Sequence, residues 1–245
     1  MNDWITPNWP APLNVRALCT TRSGGISSGP YASFNLGDHV GDKPHIVNQN
    51  RARLLKDLPN EPKWLNQVHG STPIWVDNNT NILKGDAALS RTRNIVCAIL
   101  TADCLPVFLC DKTGTTVGIV HAGWRGLAAG VIEQTIAEMK KECSHIMAYL
   151  GPAIGPDYFE VGEEVRHSFI KQDKMSAPAF TPYNGVNSKK WLADIFLLAR
   201  QRLAAVGVTK VYSNEECTYS NSDKFFSYRR DGDTGRMASL IWLTK

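Results

Sequence analysis

Three apolar runs, IVCAIL (95–100), VFL (107–109) and TTVGIV (115–120), follow one another with no helical period between them. Runs this short, rich in β-branched residues and broken by turn formers, read as strands rather than as buried helix segments. Residues 64–68 and 73–76 extend the pattern towards the N-terminus, and 13–21 adds an earlier strand before the turn RSGG (22–25). On the other side, 208–212 and 237–243 read as late strands, the last reached through the turn DGDTG (231–235). Ile46, Val47, Leu54, Leu55 and Leu58 share one helical face between Pro44 and Pro59, and further helices are expected over 127–141 and 161–172. The clearest helical period is Leu192, Ile195, Phe196, Ala199, Leu203 and Val206. It predicts a helix over 188–206 with Ser188 as N-cap and Gly207 at C′. Because strands mostly follow strands, the expected class is α+β, a sandwich with mixed sheets, rather than a doubly wound parallel fold.

The 245-residue chain is 43% apolar and 20% charged, as ordinary soluble domains are. Its net charge of +4 is spread without a basic run, which gives no footprint for nucleic acid. With no repeat, low-complexity tract or Pro/Gly/Ser-rich linker, a single domain over residues 1–245 is expected. The longest wholly apolar run, 95–100, is too short to span a bilayer, and MNDWITPNWPAPLNV (1–15) lacks the pattern of a signal peptide. The cysteines at 19, 97, 104, 110, 143 and 217 include no C-x-x-C pair. Free thiols in a reducing cytoplasm, away from any membrane, are therefore expected. Cys97 and Cys110 lie inside apolar runs and read as small buried hydrophobes, as does Cys19.

Chemistry concentrates in NQVHG (66–70), TADCLP (101–106) and HAGWRG (121–126). Each puts a metal-binding type of residue, His69, Cys104 or His121, just after an apolar run, where strand ends meet loops and functional side chains gather. Two imidazoles and a thiolate suit zinc and leave a fourth position for water or substrate. Spacing alone leaves the alternative open that these are hydrogen-bonded core histidines and a buried thiol. Gly123-Trp124-Arg125-Gly126 leads into the next expected helix. First-turn amides there attract anions, and Arg125 either adds a guanidinium or caps a loop carbonyl. His39, His45, His145 and His167 sit in polar or helical contexts and read as surface residues.

These segments resemble the signature of the YfiH-type laccase-domain family, also described as purine nucleoside phosphorylases. The likeness continues in TTRSGGISSGPYASFNLGDHVGD (20–42), YLGPAIGP (149–156), FEVGEEV (159–165) and FFSYRRDGDTGRMASLIWL (225–243), and so covers nearly the whole chain. The resemblance implies an α/β/β/α sandwich and a zinc site made by His69, Cys104 and His121. It implies phosphorolysis of adenosine, inosine and S-methyl-5'-thioadenosine by inorganic phosphate, with adenosine deamination as a further activity. Asp103, beside Cys104, is a candidate partner of the ligands or proton-transfer group. Arg22, Asn35, Arg125 and Arg229, all on motif loops, are candidates for phosphate or ribose contacts. Trp124, Phe225 and Phe226 either stack on a purine or belong to the core.

Three rival readings stand beside this one. A multi-copper polyphenol oxidase needs more histidines than the six present and paired His-x-His motifs, although copper can occupy the same His₂Cys set. A cysteine hydrolase would use Cys104 as nucleophile, activated by His69 or His121. A zinc-stabilised partner-binding module would carry no reaction. A monomer or small homo-oligomer is expected in each case.

Overall fold

The computed structural model describes residues 3–77, 83–183 and 189–245. Its largest sheet is built on the hairpin of β5 (Leu105–Asp111) and β6 (Val117–Ala122). To one side lie β7 (Ile146–Leu150) and β11 (Lys210–Ser213), to the other β3 (Ala87–Ser90) and β2 (Pro73–Trp75), in the order β11-β7-β5-β6-β3-β2. The two outermost pairs are parallel and the inner ones antiparallel, so the sheet is mixed. A second, antiparallel sheet has β12 (Met237–Leu243) between β1 (Val15–Cys19) and β4 (Cys97–Thr101). A small third sheet joins β8 (Glu160–Gly162), β10 (Lys190–Ala193) and β9 (Phe180–Pro182).

The layering follows from which side chains alternate to which face. In β5, Phe108 and Cys110 turn towards the second sheet and meet Cys97, Ile99, Met237 and Ile241 there. Leu105, Val107 and Leu109 turn the other way, onto α2 (Trp124–Ala128), α3 (Val131–Met139), α4 (Glu163–Ile170) and α5 (Ile195–Ala205). The outer face of the second sheet, with Ala98, Leu100, Leu240 and Trp242, is covered by Phe34, Leu36 and Leu54 of α1 (Pro44–Leu55) and its approach. The result is helix, sheet, sheet, helix, as the resemblance implied, and it is the α+β class with mixed sheets. Both faces of the β4–β6 region are buried, which is why these strands read as continuous apolar runs rather than alternating ones. Each fully buried Leu, Ile or Phe here stabilises the fold by about 1.5–3 kcal/mol.

Several local expectations are corrected. Residues 64–68 form no named strand, only an isolated bridge between Asn66 and Lys84, and the Gln67 side chain rather than a backbone ladder ties the segment to Leu100 on β4. The helix expected over 127–141 starts earlier, at Trp124, and breaks at Gly130, whose φ of 85° is left-handed. The N-terminal part of 161–172 is strand β8. Ser188 lies outside the described residues, and the helix predicted from it begins only at Ile195, capped by the Asp194 carboxylate accepting from Leu197 N–H. Residues Lys190–Ala193 pair with β8 and β9 instead, and this long-range pairing overrides the local helical period. The helix does end as expected, with Gly207 at φ 85°. Cys19, Cys97 and Cys110 are buried as read, and all six cysteines are free.

The β5–β6 turn fixes the register that the site depends on. The Asp111 carboxylate accepts from the Thr113 and Thr115 hydroxyls and from the Thr115 and Thr116 amides. Burial works against its charge, but these bonds outweigh it and hold the carboxyl at about 2. The group is 3% exposed, so the shift from 3.8 corresponds to roughly 2 kcal/mol. A depressed carboxyl contributes above its unfolded value and loses that contribution as pH falls. Asp111→Ala is therefore expected to destabilise by about 2 kcal/mol at pH 7, with the difference vanishing between about pH 4 and pH 2. Denaturant unfolding of both proteins across that window checks it.

Candidate metal centre

The hairpin register pairs Pro106 with His121. Cys104, two residues before Pro106 on the crossover from β4 to β5, thereby comes beside His121 near the end of β6. His69 arrives from the 66–70 loop. The potential ligand atoms of His69, Cys104 and His121 all lie within 4.8 Å of one another, and the two imidazoles meet edge to face with ring centres 4.9 Å apart. Among the described residues this is the one such cluster. A tetrahedral zinc with bonds of about 2.0–2.3 Å needs only a small contraction of this set. The donor chemistry, two nitrogens and a thiol with an open side, fits a catalytic rather than a closed site.

Asp86, just before β3, organises two of the three donors. Its side chain is fully buried. The carboxylate accepts the amides of Val68 (3.2 Å), His69 (2.9 Å) and Gly70 (2.7 Å), and contacts His121 Nδ1 at 2.9 Å. Its own carbonyl accepts His121 N–H at 2.7 Å. Holding Nδ1 leaves His121 Nε2 for Cys104 and a metal, the usual role of a carboxylate behind a histidine ligand. Gln67 adds a second clamp, donating from Nε2 to Leu100 O (2.9 Å) and accepting Leu100 N–H (2.8 Å) on β4. Both ligand loops carry a non-glycine residue at positive φ, His69 at 57° and Asp103 at 97°. Each costs of order 1–3 kcal/mol and persists only because these bonds hold it, a pattern typical of working sites.

Burial is the largest influence on the Cys104 thiol and pushes it up, yet the neighbouring His121 and His69 more than offset this and bring it down to about 6. For His121, burial pushes down, while Cys104 and Asp86 raise it to about 9. Asp86, despite its burial, is held below the ordinary carboxylate range by His121 and the loop amides. These influences favour the thiolate form of Cys104, the form that binds metal or attacks carbon. Gly123 N-caps α2 directly against this cluster, and a Cβ there would stand 3.0 Å from Cys104 Sγ and 3.3 Å from His69 Cδ2.

The cluster forms one wall of a cleft of about 380 Å³, which Gln67, Thr101, Tyr228 and Arg236 also line. The other expected site residues are distributed differently. Asp103 turns its carboxylate away, accepting Thr218 Oγ1 and Arg229 N–H, both at 2.7 Å, and so pins the Cys104 loop. Arg22 donates to Ala32 O and Ser222 O and lines a separate cleft. Asn35 is fully buried and saturated by Gly37, Asp42 and Arg236 N–H. Arg229 donates to Tyr158 O and Glu160 O and borders another cleft. Arg125 is exposed and lies over the Trp124 ring at 4.4 Å. Phe225 and Phe226 are fully buried and Trp124 packs on the helix-side core, so the core alternative holds for all three. His39, read as a surface residue, is exposed but stands at the cleft. Asp86 and Arg236 escaped sequence reading. The only signal for Asp86 was a lone acid after Gly85 and before an apolar run; Arg236 shared its motif with two other arginines.

The family model described as multi-copper polyphenol oxidoreductase laccase matches residues 16–244. A purine nucleoside phosphorylase of Pseudomonas aeruginosa is 50% identical over 243 residues, covering 99% of either chain. The purine nucleoside phosphorylase YfiH of Escherichia coli is 50% identical over 246 residues, covering 99% of this chain and all of the other. Among solved structures, a Neisseria meningitidis protein superposes with a TM-score of 0.93 at 48% identity, over 99% of this chain and 100% of that one. YlmD from Geobacillus stearothermophilus gives 0.84 at 31%, over 96% and 94%.

Proposed function

Because this chain belongs to the family described as multi-copper polyphenol oxidoreductase laccase, with end-to-end relatives named purine nucleoside phosphorylases, we propose that it is a phosphorylase of purine nucleosides. Its reaction centre is a zinc held by His69, Cys104 and His121. The observation that supports the centre most is the convergence of these three donors on one open cleft, with His121 Nδ1 tied to Asp86. Adenosine, inosine and S-methyl-5'-thioadenosine are the proposed nucleosides and inorganic phosphate the second substrate.

Phosphorolysis forms a bond from a phosphate oxygen to the ribose anomeric carbon and breaks the glycosidic C–N bond. The electron pair leaves with the purine, which takes up a proton. A bound zinc supplies Lewis-acid polarisation at this wall of the cleft. The protein's own part is to hold nucleoside and phosphate together in an attack geometry and to limit water. Gln67, Thr101 and Tyr228 are lining polar groups that can orient the nucleoside. Adenosine deamination at the same cleft replaces the exocyclic amine by a water oxygen and releases ammonia. Copper in place of zinc would use the same three ligands. Six free cysteines agree with a cytoplasmic location, and no helix of the described residues is long and apolar enough to cross a membrane. A single domain acting as a monomer or small homo-oligomer completes the proposal.

The thiolate–imidazolium pair also supports a second reading, a hydrolase with Cys104 as nucleophile. One assay separates them. Inosine with phosphate is expected to give ribose 1-phosphate and hypoxanthine, with base release falling to background when phosphate is omitted. Equal release without phosphate would make the protein a hydrolase.

A further inference from the structure

We propose that Arg236 is the anion-binding group of this cleft, its guanidinium fork taking two oxygens of inorganic phosphate beside the His69, Cys104 and His121 centre. The identity of the anion rests on the phosphorylase reading; the site itself does not.

Arg236 stands directly before β12, at the strand end that faces the cleft, and it is the only arginine among the described lining residues. Its head is fixed before any ligand arrives. The backbone N–H donates to Asn35 Oδ1 at 2.9 Å, and Nη1 donates to Thr234 O (2.8 Å) and Gly235 O (3.0 Å). Gly37 makes room for the stem, since a Cβ there would lie 2.9 Å from Arg236 Cγ. Such pre-organisation removes much of the ordering cost that a free arginine would bring to binding.

Nε and Nη2 are left over. Among the described residues neither has a hydrogen-bond partner, neither is sealed from solvent, and no carboxylate lies within ion-pair distance. These two N–H groups form the edge that matches a phosphate in bidentate fashion. The guanidinium is half-buried, and burial disfavours its charge. The charges of Cys104 and Asp103 offset part of that cost without reaching ion-pair contact, and an incoming oxyanion on the fork offsets more. The other motif arginines stand elsewhere: Arg22 and Arg229 serve loop carbonyls and line separate clefts without the His69, Cys104 and His121 donors, while Arg230 serves the Thr218, Tyr219 and Phe225 carbonyls and pairs with Asp231. The Tyr228 ring, centred 5.8 Å from the Arg236 guanidinium, flanks the position and is exposed enough to meet the remainder of a substrate.

The test measures inorganic phosphate binding to the zinc-loaded full chain by calorimetry, without nucleoside, for wild type, Arg236→Gln, Arg236→Lys and Arg125→Ala. Arg236→Gln is expected to raise the phosphate Kd by roughly tenfold to a hundredfold with zinc content unchanged. Arg236→Lys restores part of the loss, because it keeps the charge without the fork, and it covers the case in which the glutamine variant fails to fold. In turnover, the phosphate KM should rise while the inosine KM stays within about threefold. An unchanged Kd in both Arg236 variants, a larger loss in Arg125→Ala, or a wild type that binds no phosphate would each overturn the proposal. Binding through Arg236 without phosphate-dependent base release would instead refute the phosphorylase reading and leave the anion site standing.

Discussion

Cys104→Ser is expected to purify with less than about a tenth of the wild-type zinc and to lose at least about two orders of magnitude in kcat/KM. Sulfur is the ligand that the site ionises: His121 and His69 hold Cys104 at about 6 despite its burial. A serine hydroxyl in the same place stays protonated near neutral pH and offers a metal much less. The cavity it leaves is small, and the cluster lies at the rim of the sandwich rather than in its three packed cores. Folding should survive. Elemental analysis beside circular dichroism checks the result. A variant that keeps one zinc would remove Cys104 from the ligand set. A wild type without metal, made inactive by the same change, would favour the nucleophile reading.

Asp86→Ala is expected to have the second largest effect, and on two separate readouts. It strips the partner from His121 Nδ1 and from three backbone amides at once, in a fully buried position. Removing one member of a buried charged network costs about 3–5 kcal/mol, more than a neutral hydrogen bond, because the groups left behind are unsatisfied. The melting temperature of the metal-free protein reports that loss. Zinc affinity, measured by competition with a chelator, should fall by a further tenfold to a hundredfold, as is usual when a carboxylate behind a histidine ligand is lost. Asp86→Asn retains the shape and one acceptor and should recover part of the stability but less of the affinity. Unchanged zinc affinity in both variants would reduce Asp86 to a fold-holding residue.

These two residues illustrate how far the site was legible from sequence. Cys104 and the two histidines stand in compact motifs at the ends of apolar runs, and the runs were legible because both sheet faces are buried over 97–122. Asp86 carries no periodicity and belongs to no pair in sequence. Its meaning arises from β3 lying beside β6 in the sheet, which brings it to His121, 35 positions away. Arg236 was hidden for another reason. Three arginines share its motif, and choosing among them requires knowing that the fold turns Arg236 into the cleft of the three donors, Arg229 into another and Arg230 onto loop carbonyls. Asn35 misled in the opposite direction, a polar motif residue whose hydrogen bonds are all consumed internally. The helix expected from residue 188 failed where β10 pairs with β8 and β9, since a tertiary ladder outweighs a local period of a few apolar residues.

X-ray absorption at the zinc edge reads the proposed zinc centre of His69, Cys104 and His121 without reference to activity. Protein purified without added metal should hold about one zinc per chain, with one sulfur near about 2.3 Å and two imidazole nitrogens at about 2.0–2.1 Å. A coordination sphere without sulfur, or metal-free protein that retains full phosphate-dependent release of hypoxanthine, would contradict it.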